Sequence, residues 1–124
     1  MKIINTSKAP AAIGPYSQAI QVGHFLYLSG QIPVNPKTGE IVVGNIVEQA
    51  EQVIENIGAI LKEVKVSFTS VVKTTCYLKN MEDFSDFNTV YAKYFVNKPA
   101  RSCVAVRDLP KGSLCEIEVL VVID

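Results

Sequence analysis

The stretch from Asn45 to Lys79 reads NIVEQAEQVIENIGAILKEVKVSFTSVVKTTCYLK, and a change of pattern within it decides the fold class. Between residues 45 and 64 apolar side chains recur at steps of three and four, which is the period of an amphipathic helix. Glu48, three residues after Asn45, predicts a capping box at the start of that helix. Residues 69–79 are instead rich in β-branched and aromatic side chains and predict a long strand. The predicted apolar stripe of the helix comprises Val47, Ala50, Val53, Ile54, Ile57, Ile60, Leu61 and Val64.

Further elements are predicted on both sides of this stretch. A second helix follows a cap at Asn80, and its apolar stripe comprises Phe84, Phe87, Tyr91, Tyr94 and Phe95. The other predicted strands are a short one at Ile3 and Ile4, a pair at 18–22 and 25–29 around a Gly23-His24 turn, and two at about 101–107 and 114–123. This order predicts an α+β architecture, with two helices on one face of a mostly antiparallel sheet.

The two long strands differ in how their faces are patterned. On the strand at 69–79, Val72, Thr74, Cys76 and Leu78 are predicted to share one face. The last strand has one fully apolar face, whereas its other face combines Glu116 and Glu118 with Leu120 and Val122. A sheet with helices on one side normally leaves its other side to water. The half-apolar second face therefore predicts that neighbouring subunits cover it.

Composition excludes several classes of function. The 124 residues carry 12 Lys and Arg against 12 Asp and Glu, and a chain without net charge is a poor candidate for electrostatic binding to nucleic acid or anionic lipid. No apolar run approaches the length that a membrane-spanning helix needs. Three cysteines without a CxxC pair predict neither disulfides nor a zinc knuckle, and a single histidine, His24, nearly excludes a His-based metal site or a Ser/His triad. We expect one domain over residues 1–124 and a cytoplasmic location.

Few side chains are candidates for chemistry. Arg101 and Cys103 lie two apart on one predicted strand, so they point to the same face. Arg101 could bind a carboxylate or phosphate, or form an ordinary ion pair. Cys103 could be a nucleophile, but no histidine accompanies it, and an unpaired cysteine is commonly a small core residue. Glu116 and Glu118 share one face of the last strand, where one of the two carboxylates could be partly desolvated and handle protons, or both could belong to a solvated strand end.

Two more polar or aromatic positions carry open alternatives. Asn88 lies among the apolar residues of the second helix, where an amide must find partners, so it is either a structural link or a support for a loop of the site. Tyr16 follows a Gly-Pro pair in a loop, where it either caps a pocket or packs. The residues alone thus predict a small anionic ligand held by Arg101, with a Glu nearby, and identify no reaction.

Four segments together resemble one known family. They are Ala11–Gln18 (AAIGPYSQ), Ser29–Pro33 (SGQIP), Val72–Thr75 (VKTT) and Pro99–Val104 (PARSCV). In this order and spacing they resemble the RidA family, also called the YjgF or L-PSP family, over essentially the whole chain. The resemblance implies a chorismate-mutase-like α+β fold and a homotrimer, in which three sheets form an inner barrel and three clefts lie between subunits.

The resemblance also implies an activity. It is hydrolysis of reactive enamines and imines, such as 2-aminoacrylate (2-iminopropanoate) and 2-iminobutanoate, to a 2-oxo acid and ammonia, with no cofactor or metal. By the same resemblance Arg101 would pair with the substrate carboxylate and Glu116 would activate water. The implied binding positions are Tyr16, Ser29, Gly30, Asn88 and Cys103.

Other functions remain open at this stage. One is a single-strand endoribonuclease that inhibits translation, against which zero net charge and two arginines argue weakly. A second is a non-catalytic regulatory module in which Arg101 captures a carboxylate. A third is a chaperone-like role of exposed apolar surface. Truncation of Glu116 separates the deaminase from the regulatory module, because it should abolish turnover and largely preserve carboxylate binding.

Overall fold

A computed structural model describes residues 1–124 and contains six strands and two α-helices. The strands are β1 (Lys2–Ile4), β2 (Ala19–Val22), β3 (Phe25–Leu28), β4 (Val71–Leu78), β5 (Ala100–Ala105) and β6 (Cys115–Val122). The helices are α1 (Ile46–Glu63) and α2 (Phe84–Tyr94). One sheet holds the strands in the order β1-β2-β3-β6-β4-β5. Only β4 and β5 pair in parallel, because α2 connects them as a crossover. The predicted α+β class and mostly antiparallel sheet are confirmed.

The start of α1 follows its local sequence. The side chain of Asn45 accepts a hydrogen bond from the Val47 backbone at 2.9 Å, and Glu48 completes the capping box as predicted. The apolar stripe is rotated relative to the prediction, because Ile46 is buried while Val47 is 37% exposed. Ile46 lies four residues before Ala50, on the helix face that packs on the sheet. Val64 is the C-cap and lies just outside the helix.

Two predicted details, the cap at Asn80 and the facing of Val72, are wrong. A 3₁₀ turn over Met81–Asp83 precedes α2, so Asn80 does not cap the α-helix and its side chain makes no capping hydrogen bond. Val72 does not share the face of Thr74, Cys76 and Leu78. The pairing of β4 with β6 shifts by one residue between Val71 and Lys73. This irregularity turns Val71 into the core and leaves Val72 42% exposed.

The two faces of the sheet have different surroundings. The core lies between the sheet and the two helices, where Cys76, Cys115 and Ile117 are fully buried. The opposite face, termed the open face, carries large apolar side chains that are roughly half exposed: Ile3, Val22, Phe25, Tyr27 and Val104. The apolar character of this face thus extends beyond β6, and its cover by neighbouring subunits stays a prediction. Neither helix has the combination of length and hydropathy that crossing a membrane requires.

Candidate active site

Arg101 lies near the start of β5, one of the two edge strands of the sheet, and points to the side of the sheet that the helices cover. Its register partner on β4 is Thr74. Nη1 of Arg101 donates a hydrogen bond of 2.7 Å to Oδ1 of Asn88 on α2. The guanidinium carbon lies 4.7 Å from the centroid of the Tyr91 ring and 5.5 Å from that of Phe84. Arg101 takes part in no salt bridge, because the one ion pair of the chain joins Lys93 to Glu51.

A pocket of about 320 Å³ opens beside Arg101, between the C-terminal half of α2 and the start of β5. Its volume suits a small organic acid. Its other lining residues are Asn88, Tyr91, Ala92, Phe95, Val96, Lys98 and Pro99. No carboxylate lines this pocket, and both of its charged side chains, Lys98 and Arg101, are basic. The pocket is therefore suited to an anion.

Cys103 lies on the same face of β5 as Arg101, as predicted, and pairs in register with Cys76. It is half-buried against the core, and this burial raises the pKa of its thiol above the usual value. A raised pKa keeps the sulfur protonated at neutral pH, which disfavours a nucleophilic role. Cys76 and Cys115 are fully buried core residues as predicted, and burial raises the pKa of each to about 12.

Glu116 lies on β6 opposite Tyr77 and faces the open side of the sheet. It is half-buried. Burial first, and the neighbouring charge of Glu118 second, raise the pKa of its carboxyl group above the ordinary value. Gly30 lies directly against this carboxyl group, since a Cβ added to Gly30 would lie 2.2 Å from Oε2 of Glu116. Glu118 accepts a hydrogen bond of 3.0 Å from the Tyr77 hydroxyl.

Ser29 and Tyr16 belong to the loops that flank Gly30 and β2. The Ser29 hydroxyl donates to the Ser17 carbonyl at 2.6 Å, which ties the two loops together. Tyr16 lies in its Gly-Pro loop with 53% of its surface exposed, and its ring packs near Gly14. An exposed aromatic ring on a loop is available for contact with a ligand or a second chain.

The predicted site residues fall into two groups on opposite faces of the sheet. Arg101 pairs with Thr74, whose side chain is buried beneath the helices, whereas Glu116 pairs with Tyr77 on the open face. The structure therefore brings Arg101, Asn88 and Cys103 together on one side. Within one chain Glu116 is not a neighbour of Arg101, contrary to the expectation from the residues alone.

Comparison with known proteins identifies the family. A sequence model described as Endoribonuclease L-PSP matches residues 6–123. The chain belongs to the RidA, or L-PSP, family.

Relatives within the RidA family have different names. AldR of Lactococcus lactis, described as a proposed regulator, is 60% identical over 97% of this chain and 96% of its own. The 2-iminobutanoate/2-iminopropanoate deaminase of mouse is 49% identical over 98% of this chain and 90% of its own. Among solved structures, Escherichia coli TdcF with bound serine superposes with a TM-score of 0.95 at 41% identity, covering 100% of both chains. The fold is thus that of the RidA family, and the names of its members do not agree on one activity.

Sequence reasoning missed the side chains that hold Arg101 in this RidA-family chain. The sequence predicts Phe84 and Tyr91 only as members of the apolar stripe of the second helix, and Thr74 only as part of a strand face and of the VKTT segment. The spacing of residues 84, 88 and 91 places them on one helical face, but it does not show that this face contacts Arg101. No group of three or more His, Cys, Asp or Glu side chains is placed to hold a metal ion.

Proposed function

We propose that this chain is a deaminase of small 2-imino acids, which hydrolyses 2-iminopropanoate and 2-iminobutanoate to the 2-oxo acids and ammonia. One observation carries the proposal. The guanidinium of Arg101 is held by an amide and two aromatic rings and has no carboxylate partner, so its charge is available to an anion from solution. A mammalian relative at 49% identity is named for this activity.

Arg101 would bind the carboxylate of the substrate. Asn88 occupies only Nη1, so the other N–H groups of the guanidinium can form paired hydrogen bonds with the two carboxylate oxygens. Such a pair fixes the plane of the carboxylate and thereby the position of the adjacent imine carbon. Positioning of this kind converts a bimolecular attack by water into an oriented one.

Glu116 would move the protons. Its ionised carboxylate accepts a proton as water adds to the imine carbon and forms a carbinolamine. The substrate reacts as the protonated imine, so the carboxyl group returns this proton to the carbinolamine nitrogen and makes it an ammonium leaving group. The C–N bond then breaks, the hydroxyl proton passes to the Glu116 carboxylate as the carbonyl forms, and ammonia takes that proton and leaves as ammonium. A half-buried carboxyl group with a raised pKa suits both steps, because its proton affinity is closer to neutral pH than that of a solvated Glu.

A site that uses both residues needs two chains, because Arg101 and Glu116 face opposite sides of one sheet. The open face presents the apolar surface for such an association. We therefore propose that each 124-residue chain folds as one domain of a homotrimer. Each cleft of the trimer would combine Arg101, Asn88 and Cys103 of one chain with Glu116 and the loops of Tyr16, Ser29 and Gly30 of the next.

The test is a coupled assay of imine hydrolysis. A threonine dehydratase generates 2-iminobutanoate, semicarbazide traps it, and the protein under test competes with the trap by releasing 2-oxobutanoate. We expect acceleration by the wild-type chain and a loss of about 100-fold or more in kcat/KM for Arg101→Ala, which removes two charge-assisted hydrogen bonds. Glu116→Gln should lose a similar factor through kcat.

Arg107→Ala is the matched control, because Arg107 is the other arginine of the chain and is exposed. It should retain wild-type activity. Full activity of a folded Arg101→Ala variant, or none in the wild-type oligomer, would refute the deaminase.

A carboxylate-binding module is the second candidate, and the bound serine of the related TdcF structure favours it. It would use the same Arg101 pocket without turnover. Calorimetric titration with 2-oxobutanoate decides between the two functions. Binding that Arg101→Ala removes, in a wild-type protein that hydrolyses no imine, would establish the module.

A further inference from the structure

One face of α2 forms a cradle around the guanidinium of Arg101. Phe84, Asn88 and Tyr91 occupy positions i, i+4 and i+7 of the helix, and all three contact the same guanidinium. The closest ring is that of Tyr91, at 4.7 Å between its centroid and the guanidinium carbon. A cation above the face of an aromatic ring is attracted by the ring's negative centre. The helix therefore restrains the arginine by one hydrogen bond and two aromatic contacts.

The Tyr91 ring is itself held in place by a hydrogen bond to a side chain of β4. Its hydroxyl oxygen lies 2.8 Å from Oγ1 of Thr74, and the two groups share a hydrogen bond in the buried interior. Thr74 is fully buried and Tyr91 is only 8% exposed. Thr74 is also the register partner of Arg101 in the β4–β5 ladder. The same strand residue thus pairs with the backbone of Arg101 and anchors the ring under its side chain.

We propose that Tyr91, anchored by Thr74, is a positioning residue that holds the guanidinium of Arg101 in the orientation that binds the substrate carboxylate. Asn88 restrains the same guanidinium through its hydrogen bond to Nη1. The inference deepens the proposed function and rests on it. An unrestrained arginine would lose side-chain freedom on binding each anion, whereas a restrained one has lost that freedom on folding.

The first test compares variants of Tyr91 in the deaminase assay. Tyr91→Phe retains the ring and removes the bond to Thr74, and Tyr91→Leu removes the ring as well. We expect KM for 2-iminobutanoate to rise about 3-fold in the first and about 10- to 30-fold in the second, with smaller changes in kcat. The pH dependence of kcat, which Glu116 determines, should be the same in both variants as in the wild type. Tyr94→Phe is the matched control, because the Tyr94 hydroxyl bonds to Glu51 and not to the cradle.

The second test is chemical rescue. In Arg101→Ala the cradle remains, so added guanidinium should bind in it and restore activity by about 10-fold over the unrescued variant. The double variant Arg101→Ala with Tyr91→Leu should show no rescue. Melting temperature and circular dichroism check that each variant folds. Equal rescue in both backgrounds, or an unchanged KM in a folded Tyr91→Leu variant, would overturn the proposal.

Failure of the positioning role and failure of the deaminase are distinguishable. If the wild-type protein hydrolyses no imine, the proposed function fails. Calorimetric titration with 2-oxobutanoate then tests the cradle alone. A weaker affinity in Tyr91→Leu than in Tyr94→Phe would support the cradle, and equal affinities would refute it.

Discussion

At the scale of single residues, the raised pKa of Glu116 lowers the stability of the folded chain at neutral pH and suits the carboxyl group to proton transfer. Burial and the charge of Glu118 raise the pKa of its carboxyl group in the folded chain. Between its ordinary pKa and this raised pKa, the folded chain binds more protons than the unfolded chain does. The contribution of Glu116 to stability is therefore fully present below the ordinary pKa and is lost as the pH rises through the raised one.

Glu116→Gln removes this pH-dependent penalty. We expect its melting temperature to exceed that of the wild type at pH 7 by a small margin, because half of the side chain remains solvated. The margin should vanish below pH 4. Thermal unfolding followed at both pH values measures it. A variant less stable than the wild type at pH 7 would contradict this account.

In the wild type, kcat should fall as the pH drops through the raised pKa of Glu116, because a protonated carboxyl group accepts no proton from water.

At the scale of elements, a short bridge between a loop and a strand positions Glu116. The backbone of Gln31 exchanges two hydrogen bonds with Ile117, of 2.8 and 3.1 Å, so the 29–31 loop lies along β6. This pairing brings Gly30 against the Glu116 carboxyl group, with no space for a methyl group.

Gly30→Ala should displace the Glu116 carboxylate and leave the fold intact. The atoms that a Cβ would meet belong to the flexible end of the Glu116 side chain, so the loop itself need not move. We expect kcat for 2-iminobutanoate to fall about 10- to 100-fold, since misplacement by 1 Å suffices for such a loss. The coupled assay measures it. The melting temperature of Gly30→Ala, compared with that of the wild type, is the control for an intact fold. Unchanged kcat in Gly30→Ala would show that Glu116 needs no fixed position.

Elements defined by local sequence were predictable, and those defined by packing were not. The capping box of Asn45 and Glu48 depends on four consecutive residues, so the start of α1 could be located from the sequence. The irregularity at Val72 depends on how β4 pairs with β6, a strand more than forty residues away. The site divides in the same way. Arg101 could be predicted as a site residue from the PARSCV segment. Its contacts with Phe84, Asn88 and Tyr91 could not be predicted, because they depend on how closely α2 packs against β5, and no local sequence pattern contains that distance.

At the scale of the whole molecule, the placement of Arg101 and Glu116 determines how many chains a site needs. β5 and β6 are both paired to β4, yet the two side chains leave opposite faces of that sheet. A chain cannot bring them together without breaking its own strand pairing. A second copy can do so by covering the open face, which also buries the half-exposed apolar side chains of β2 and β3.

This arrangement predicts complementation between inactive variants. Arg101→Ala retains Glu116 and Glu116→Gln retains Arg101, so a cleft between one chain of each kind can be intact. After the two proteins are mixed in equal amounts, unfolded and refolded together, random assembly into a closed ring makes about a quarter of the clefts intact. We expect about that fraction of wild-type activity, in a particle whose mass by light scattering is three times 13.6 kDa. Each variant refolded alone provides the background. If a mixed oligomer recovers no activity, Arg101 and Glu116 must act in the site of a single chain. The strands of that chain would then have to pair differently from the arrangement described.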